Sequence, residues 1–593
     1  MKSFWGSFLG TLVGVIVTSI LGILIIVSII FSSVSEITSQ KDKPIKVKAN
    51  SILHIRFEDK IVERSSKNPF EGFNFNDPDS RPMGLNDIIN NIDKAKNDNN
   101  IKGIYLDIAS IPAGIATLEE IRNALLDFKK SKKFVVAYSE GYAQGAYYLA
   151  TVADKIYLNP EGMVDFKGLS TQIMFYKKML DKLEVDIQIF RHGKFKSATE
   201  PFFLDKMSDR SREQVYTYLH SIWNYVVEGI SKQRNISVEE LNRYADNMLI
   251  NDAESSLNYK LVDKLVYKDE MLDVLAGLVN VKTPDKINYV EMRKYTHAPK
   301  TKAEPKTSNE IAIVYAFGSI EGGNGDNNTI GSERISKAIR EARLDDNVKA
   351  IVLRVNSPGG SSLASDVIWR EMVLAKKVKP VVVSMGDVAA SGGYYISCAA
   401  DAIVAHPNTI TGSIGVFGVF PNVQNLFSDK LGINVDTVKT NKHSDFGNMY
   451  RAVSKEESAV VQTWIENVYN DFIGKVADGR HMKVADVDSI GQGRVWSGMD
   501  GKRIGLVDEF GGIKDAIALA AEKAKLKEYK ILELPKQKEP FEEIFKNLFD
   551  GDDMVEQKLK NELGDSYDNF KRMKNILKYK GIQARLPYDV VIY

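Results

Sequence analysis

Apolar residues fall in short bounded runs along this chain, and the runs occur twice in the same order. Residues 51–57 (Ser-Ile-Leu-His-Ile-Arg-Phe) alternate enough to predict a strand, and residues 311–317 (Ile-Ala-Ile-Val-Tyr-Ala-Phe) open a second series. Helical periodicity follows each, over 85–96 and 332–343, and then a buried-strand run at 103–108 and 350–355. A second helical stretch leads to strands at 134–138 and 381–385, with short strands at 156–158 and 403–405 after them. Strand and helix alternating in this way predict a mainly parallel sheet with βαβ crossovers in each series. Each series continues into a long helix whose start carries a capping-box pattern, Ser211-Arg-Glu-Gln214 and Ser454-Lys-Glu-Glu457. Both close on Leu-Val-Asp, at 261–263 and 506–508.

The two series are copies. Shifted by 247 residues, 92–168 lies on 339–415 without a gap, pairing Asp98 with Asp345, Tyr147-Tyr148 with Tyr394-Tyr395, Asp154 with Asp401 and Gly168 with Gly415. The differences concentrate on reactive residues. The second copy reads Gly386-Asp-Val-Ala-Ala-Ser391-Gly-Gly, where the first has Gln144 opposite Ser391. The first copy reads Arg191-His-Gly-Lys-Phe-Lys196-Ser, and the second has no lysine opposite Lys196.

The pattern divides the chain into an N-terminal anchor (1–34), a polar juxtamembrane linker (35–50), a first repeat (51–295), a Lys/Thr/Pro-rich linker (296–308), a second repeat (309–534) and a charged tail (535–593). Residues 8–31 carry no charge and are rich in Ile, Leu and Val, and ~20 apolar residues suffice to cross the hydrocarbon core. They are read as one retained transmembrane helix. Lys2 and the lysines at 41, 43, 46 and 48 pull the charge signal in opposite directions, so charge does not orient the segment.

Composition narrows the function classes. At 593 residues the chain exceeds one hydrophobic core. Its 79 basic and 78 acidic residues give a net charge of +1, spread without a basic cluster, which argues against nucleic acid as a partner. The single cysteine, Cys398, can form neither an intrachain disulfide nor a zinc cluster and is read as a small buried side chain. There is no Gly-x-x-x-x-Gly-Lys-Ser/Thr loop for ATP.

Ser391 follows a predicted strand and precedes small residues, which places a hydroxyl on a tight turn with backbone N–H groups nearby. Asn356-Ser-Pro-Gly359-Gly360 ends the neighbouring strand and can aim a second N–H at the same point, so Gly359 and Gly392 are candidate oxyanion donors. His406 and His443 lie in no recognisable motif, and a lysine is the other known partner for a serine nucleophile. Such a lysine must be neutral near pH 7, which burial can achieve. Lys196 sits among Phe190, Phe195, Phe202 and Phe203; Lys194 shares its face of an extended strand and competes for the role.

Taken together, the 386–394 segment, the 356–360 turn, Thr411-Gly-Ser413-Ile-Gly415 and Arg191-x-Gly-x-x-Lys196-Ser-Ala-x-Glu200-Pro-Phe202 resemble the long form of signal peptide peptidase A, a bacterial membrane-anchored serine protease family. The resemblance spans nearly all of 50–534. It implies an α/β fold of the ClpP/crotonase type in each half, with Ser391 as nucleophile, Lys196 as general base and Ser413 orienting the lysine. It further implies one site per chain, no metal or cofactor, signal-peptide remnants and other apolar peptides as substrates, a homotetramer, and catalytic domains on the extracytoplasmic (periplasmic) side of the inner membrane. An acyl-CoA enzyme of the same fold would leave Lys196 and the anchor unexplained. A catalytically silent scaffold would leave the Ser391/Lys196 complement unexplained.

Overall fold

The computed structural model describes residues 45–66, 82–301, 305–326, 328–537 and 581–586, with isolated helical positions between Gly10 and Gly22. The 8–31 segment read as an anchor therefore lies largely outside the described residues. Among the described residues no helix is long and apolar enough to cross a membrane.

Each half is built on its own mainly parallel sheet, with Val495–Ser497 of the second antiparallel to its neighbour. In the first, six strands run in the order Lys264–Leu265, Lys155–Leu158, Phe134–Ser139, Ile101–Asp107, Ser51–Ile55 and Asn288–Glu291. In the second, the path is Val495–Ser497, Ile410–Gly412, Val381–Ala390, Val348–Ser357, Glu310–Phe317 and Lys530–Leu534, with Ala402–Ala405 also paired to Val381–Ala390. The central strands are largely apolar because helices cover both faces. Ile351, Val352, Leu353 and Val355 are all fully buried. The helices repeat in register: Leu85–Asn97 and Ile115–Lys129 in one half, Ser332–Leu344 and Ser362–Lys376 in the other.

Two elements differ from the sequence reading. The strand expected over 381–385 runs on to Ala390, so it delivers Ser391 directly, and the helix beyond it is a single turn, Gly392–Tyr395. The long helix of the first half is opened by Ser208, whose side chain accepts from Ser211 N, and not by Ser211. Serines three residues apart give the same local pattern. Glu200 decides between them, accepting from the Ser208 hydroxyl (2.7 Å) and backbone N–H (3.0 Å). In the second half Ser454 and Glu457 do form a capping box.

A third sheet joins the halves. Asp186–Arg191 of the first pairs antiparallel with Phe417–Asn422 of the second, and the sheet continues through Gln583–Arg585 to Gly359–Ser361, Ser319–Glu321 and Thr329–Gly331. A buried ionic cluster adds to the joint. Arg354 donates to Glu63 (2.7 Å) and Glu120 (2.6 Å), both from the first half, and each of the three side chains is at least 94% buried. Asp387 also reaches across, accepting from the N–H and hydroxyl of Thr117 at the start of the Ile115–Lys129 helix.

Candidate active site

Ser391 sits where the Val381–Ala390 strand turns into the one-turn helix. Its backbone has φ 55° and ψ −114°, which is rare for a residue with a side chain. Hydrogen bonds on both sides hold that conformation: Ser391 N donates to Gly412 O (2.8 Å), and Tyr395 N donates to Ser391 O (2.8 Å). The turn projects the hydroxyl out of the sheet, where its oxygen is fully buried beside Gly415 O.

Lys196 arrives from the first half. The Asp186–Arg191 strand hands the chain to a loop pressed on the Gln492-Gly493 backbone of the second half, with Phe195 N donating to Gln492 O (2.9 Å). Gly193, at φ 101°, touches Gln492, and a Cβ on it would stand 2.4 Å from that carbonyl oxygen. Gly493 abuts Lys196 itself: a Cβ there would lie 2.6 Å from Lys196 N. The lysine stem thus runs between glycines to its target. Nζ lies 2.8 Å from Ser391 Oγ, 3.0 Å from Ser413 Oγ and 3.1 Å from Ser413 O. Ser413, at φ 50°, is held by its own N–H on Arg494 O (2.7 Å).

Electrostatics favour a neutral amine. Lys196 is fully buried, and that burial holds its amine well below a lysine's ordinary value. Lys194 is exposed, which separates the two lysines the sequence left in competition. His406 and His443 face Glu120 and Glu457 instead. Cys398 is buried with its thiol pushed up to about 12 by desolvation, a structural side chain and not a nucleophile.

Gly359 and Gly392 come together beside Ser391. A Cβ built on Gly359 (φ 94°) would stand 2.7 Å from Gly392 N. Gly359 N donates to Ser357 Oγ (3.1 Å), so in this structure that N–H is engaged. The C-terminal strand runs directly over both glycines. Gly360 opposes Ala584, Leu586 N donates to Pro358 O (2.7 Å) and Ser362 N to Ile582 O (3.2 Å). Ala584 O is 2.1 Å and 2.9 Å from where side chains on Gly359 and Gly392 would begin. The sequence left the tail's placement open, because nothing local in Gln583-Ala-Arg-Leu586 names its partner strand.

The first half shows what the same frame becomes with glutamine in place of the serine. The Gln144 amide donates to Gly168 O (2.9 Å) and accepts from Gly168 N (3.0 Å) and Lys167 N (3.1 Å). Phe166, opposite Ser413, is buried against Tyr147 and Trp223. Pro112 stands where Gly359 stands in the other half.

The sequence pattern of Peptidase family S49 matches residues 127–282 and again 374–527, one stretch in each half. The chain belongs to peptidase family S49. This S49 peptidase is 42% identical to Protease 4 of Salmonella typhi over 454 residues, which covers 75% of this chain and 73% of that protein. It is 38% identical to Protease 4 of Haemophilus influenzae, covering 74% and 72%. It is 34% identical to the chloroplastic serine protease SPPA of Arabidopsis thaliana, covering 75% and 66%. The S49 chain is a serine protease.

Proposed function

We propose that this protein is a membrane-anchored endopeptidase in which Ser391 attacks a peptide carbonyl and neutral Lys196 takes the hydroxyl proton. The lysine then returns that proton to the leaving amine, and water releases the acyl enzyme. The observation that carries the reading is the 2.8 Å contact from Lys196 Nζ to Ser391 Oγ in a buried setting. Ser413 gives the amine two further acceptors, which orient it toward the serine. The developing oxyanion is received by Gly392 N–H, joined by Gly359 N–H as it turns from Ser357.

The substrate lies extended along Gly359–Ser361, in the lane that Gln583–Arg585 occupies. That lane suits apolar peptides, because Ile582, Ala584 and Leu586 share one face of the occupying strand and Ala584 and Leu586 are buried. Signal-peptide remnants at the extracytoplasmic face of the inner membrane, met by a homotetramer tethered through residues 8–31, are the substrates and setting we propose. An active-site serine probe tests the chemistry: it labels the wild type and fails on Ser391→Ala and Lys196→Ala. Labelling that survives Lys196→Ala sinks the dyad.

A further inference from the structure

Gln214 is fully buried on the Asp209–Arg234 helix, and its amide bridges the two halves around the candidate dyad. Nε2 donates to Phe195 O (3.0 Å) and Ser197 Oγ (2.8 Å), the residues on either side of Lys196. Oε1 accepts from Val495 N (3.1 Å) in the second half. Val495 pairs with Gly412, whose carbonyl holds Ser391 N, and it follows Arg494, whose carbonyl holds Ser413 N. One side chain therefore ties both shoulders of Lys196 to the backbone that suspends Ser391 and Ser413.

The fold alone does not call for a glutamine there. The matching helix of the second half, Lys455–Arg480, has the same length and a serine N-cap, and six residues past that cap it carries Val460, which is 48% exposed. The chemistry does call for one. Donors are needed on one side and an acceptor on the other, and a carboxylate would add charge beside a lysine that has to be neutral. Charged and titratable groups already around this loop are Arg191, which donates to Lys196 O (3.2 Å), Arg494, stacked over the Phe195 ring, Glu213, paired with Arg494, exposed Lys194, His192, paired with Glu466 (2.6 Å), and buried Glu200, which accepts from Ser208.

We propose that Gln214 is a positioning residue that sets the base-bearing loop of the first half against the nucleophile of the second. The proposal rests on reading Lys196 as the base.

Gln214→Leu and Gln214→Glu test it in the full-length protein, with kcat, KM and the pH profile measured on a peptide substrate. Gln214→Leu is expected to lower kcat ~10- to 100-fold with KM little changed, the scale of a small misplacement of a catalytic group. Gln214→Glu keeps the size and the acceptor for Val495, and is expected to move the rise of activity to higher pH by about one unit. Wild-type kcat and pH midpoint in both variants overturn the proposal. So does a loss that only follows the folded fraction by thermal melting, with the wild-type midpoint in what remains. If instead wild type has no such rise and Lys196→Ala stays active, the dyad reading itself has failed.

Discussion

Lys196 and Ser391 lie 195 residues apart in sequence and 2.8 Å apart in space, and burial is what acts on the amine. The sign of the pH dependence follows. With the neutral amine as the proposed base, kcat/KM is expected to rise with pH through the depressed value of Lys196, and a flat profile between about pH 5 and 9 contradicts it. The same depression weakens the fold at neutral pH. The unfolded chain holds the lysine proton up to ~10.4 while the folded chain releases it lower, so stability rises with pH between the two values. Lys196→Met is therefore expected to melt above wild type at pH 7, with the gap closing as pH approaches 10.

Replacing Gln144 with serine will not create a second site. The hydroxyl would face Phe166 in place of Ser413 and Pro112 in place of Gly359, with no lysine delivered. In a Ser391→Ala background, Gln144→Ser should take up no serine probe by intact-protein mass. It should also lose about 1 kcal/mol, because the half-buried Gly168 groups lose their amide partner. One label per chain in that double variant refutes the account.

Much of this was legible from residue order alone. Central strands announce themselves as apolar runs because both faces are covered, and the 247-residue repeat locates their counterparts. Ser391 and Lys196 stood out because each copy lacks the other's residue. What stayed hidden was set by distant contacts. Ser208 became the N-cap through Glu200, eight residues before it. Gly493 is required by the approach of Lys196, from the other half. Gln214 read as part of a cap until three partners, two of them around Lys196 and one in the second half, were seen to share its amide.

The C-terminal strand bears on turnover. Gln583–Arg585 lies over Gly359 and Gly392, so a peptide that takes the same lane must displace it. Ending the chain at residue 580 should lower KM for a short apolar peptide and leave kcat close to wild type. An unchanged KM, or lost activity in a folded protein, shows that the strand supports the site and does not compete for it.

Arg354 links the joint between the halves to the Asn356–Gly360 turn beside Ser391. Its guanidinium separates Glu63 from Glu120, and Glu63 in turn accepts from Asn356 (2.7 Å), three residues before Gly359. Burial raises the Glu63 carboxyl despite Arg354. At Glu120 burial is outweighed by Arg354, His406 and the Ile513 N–H, which hold that carboxyl below its usual range. Arg354→Met strands two carboxylates in an apolar joint, at a cost of about 3–5 kcal/mol. With the cation gone, burial raises both carboxyls, and they shed the penalty by taking up protons as pH falls. In wild type the Glu120 contribution stays in place from pH 8 to pH 5, because it fades only below the ordinary carboxylate range, and the paired arginine keeps the Glu63 penalty smaller than in the variant. The melting gap between Arg354→Met and wild type should therefore be wide at pH 8 and narrower at pH 5. A gap that does not change with pH assigns the loss to packing and removes the ionic account of the joint.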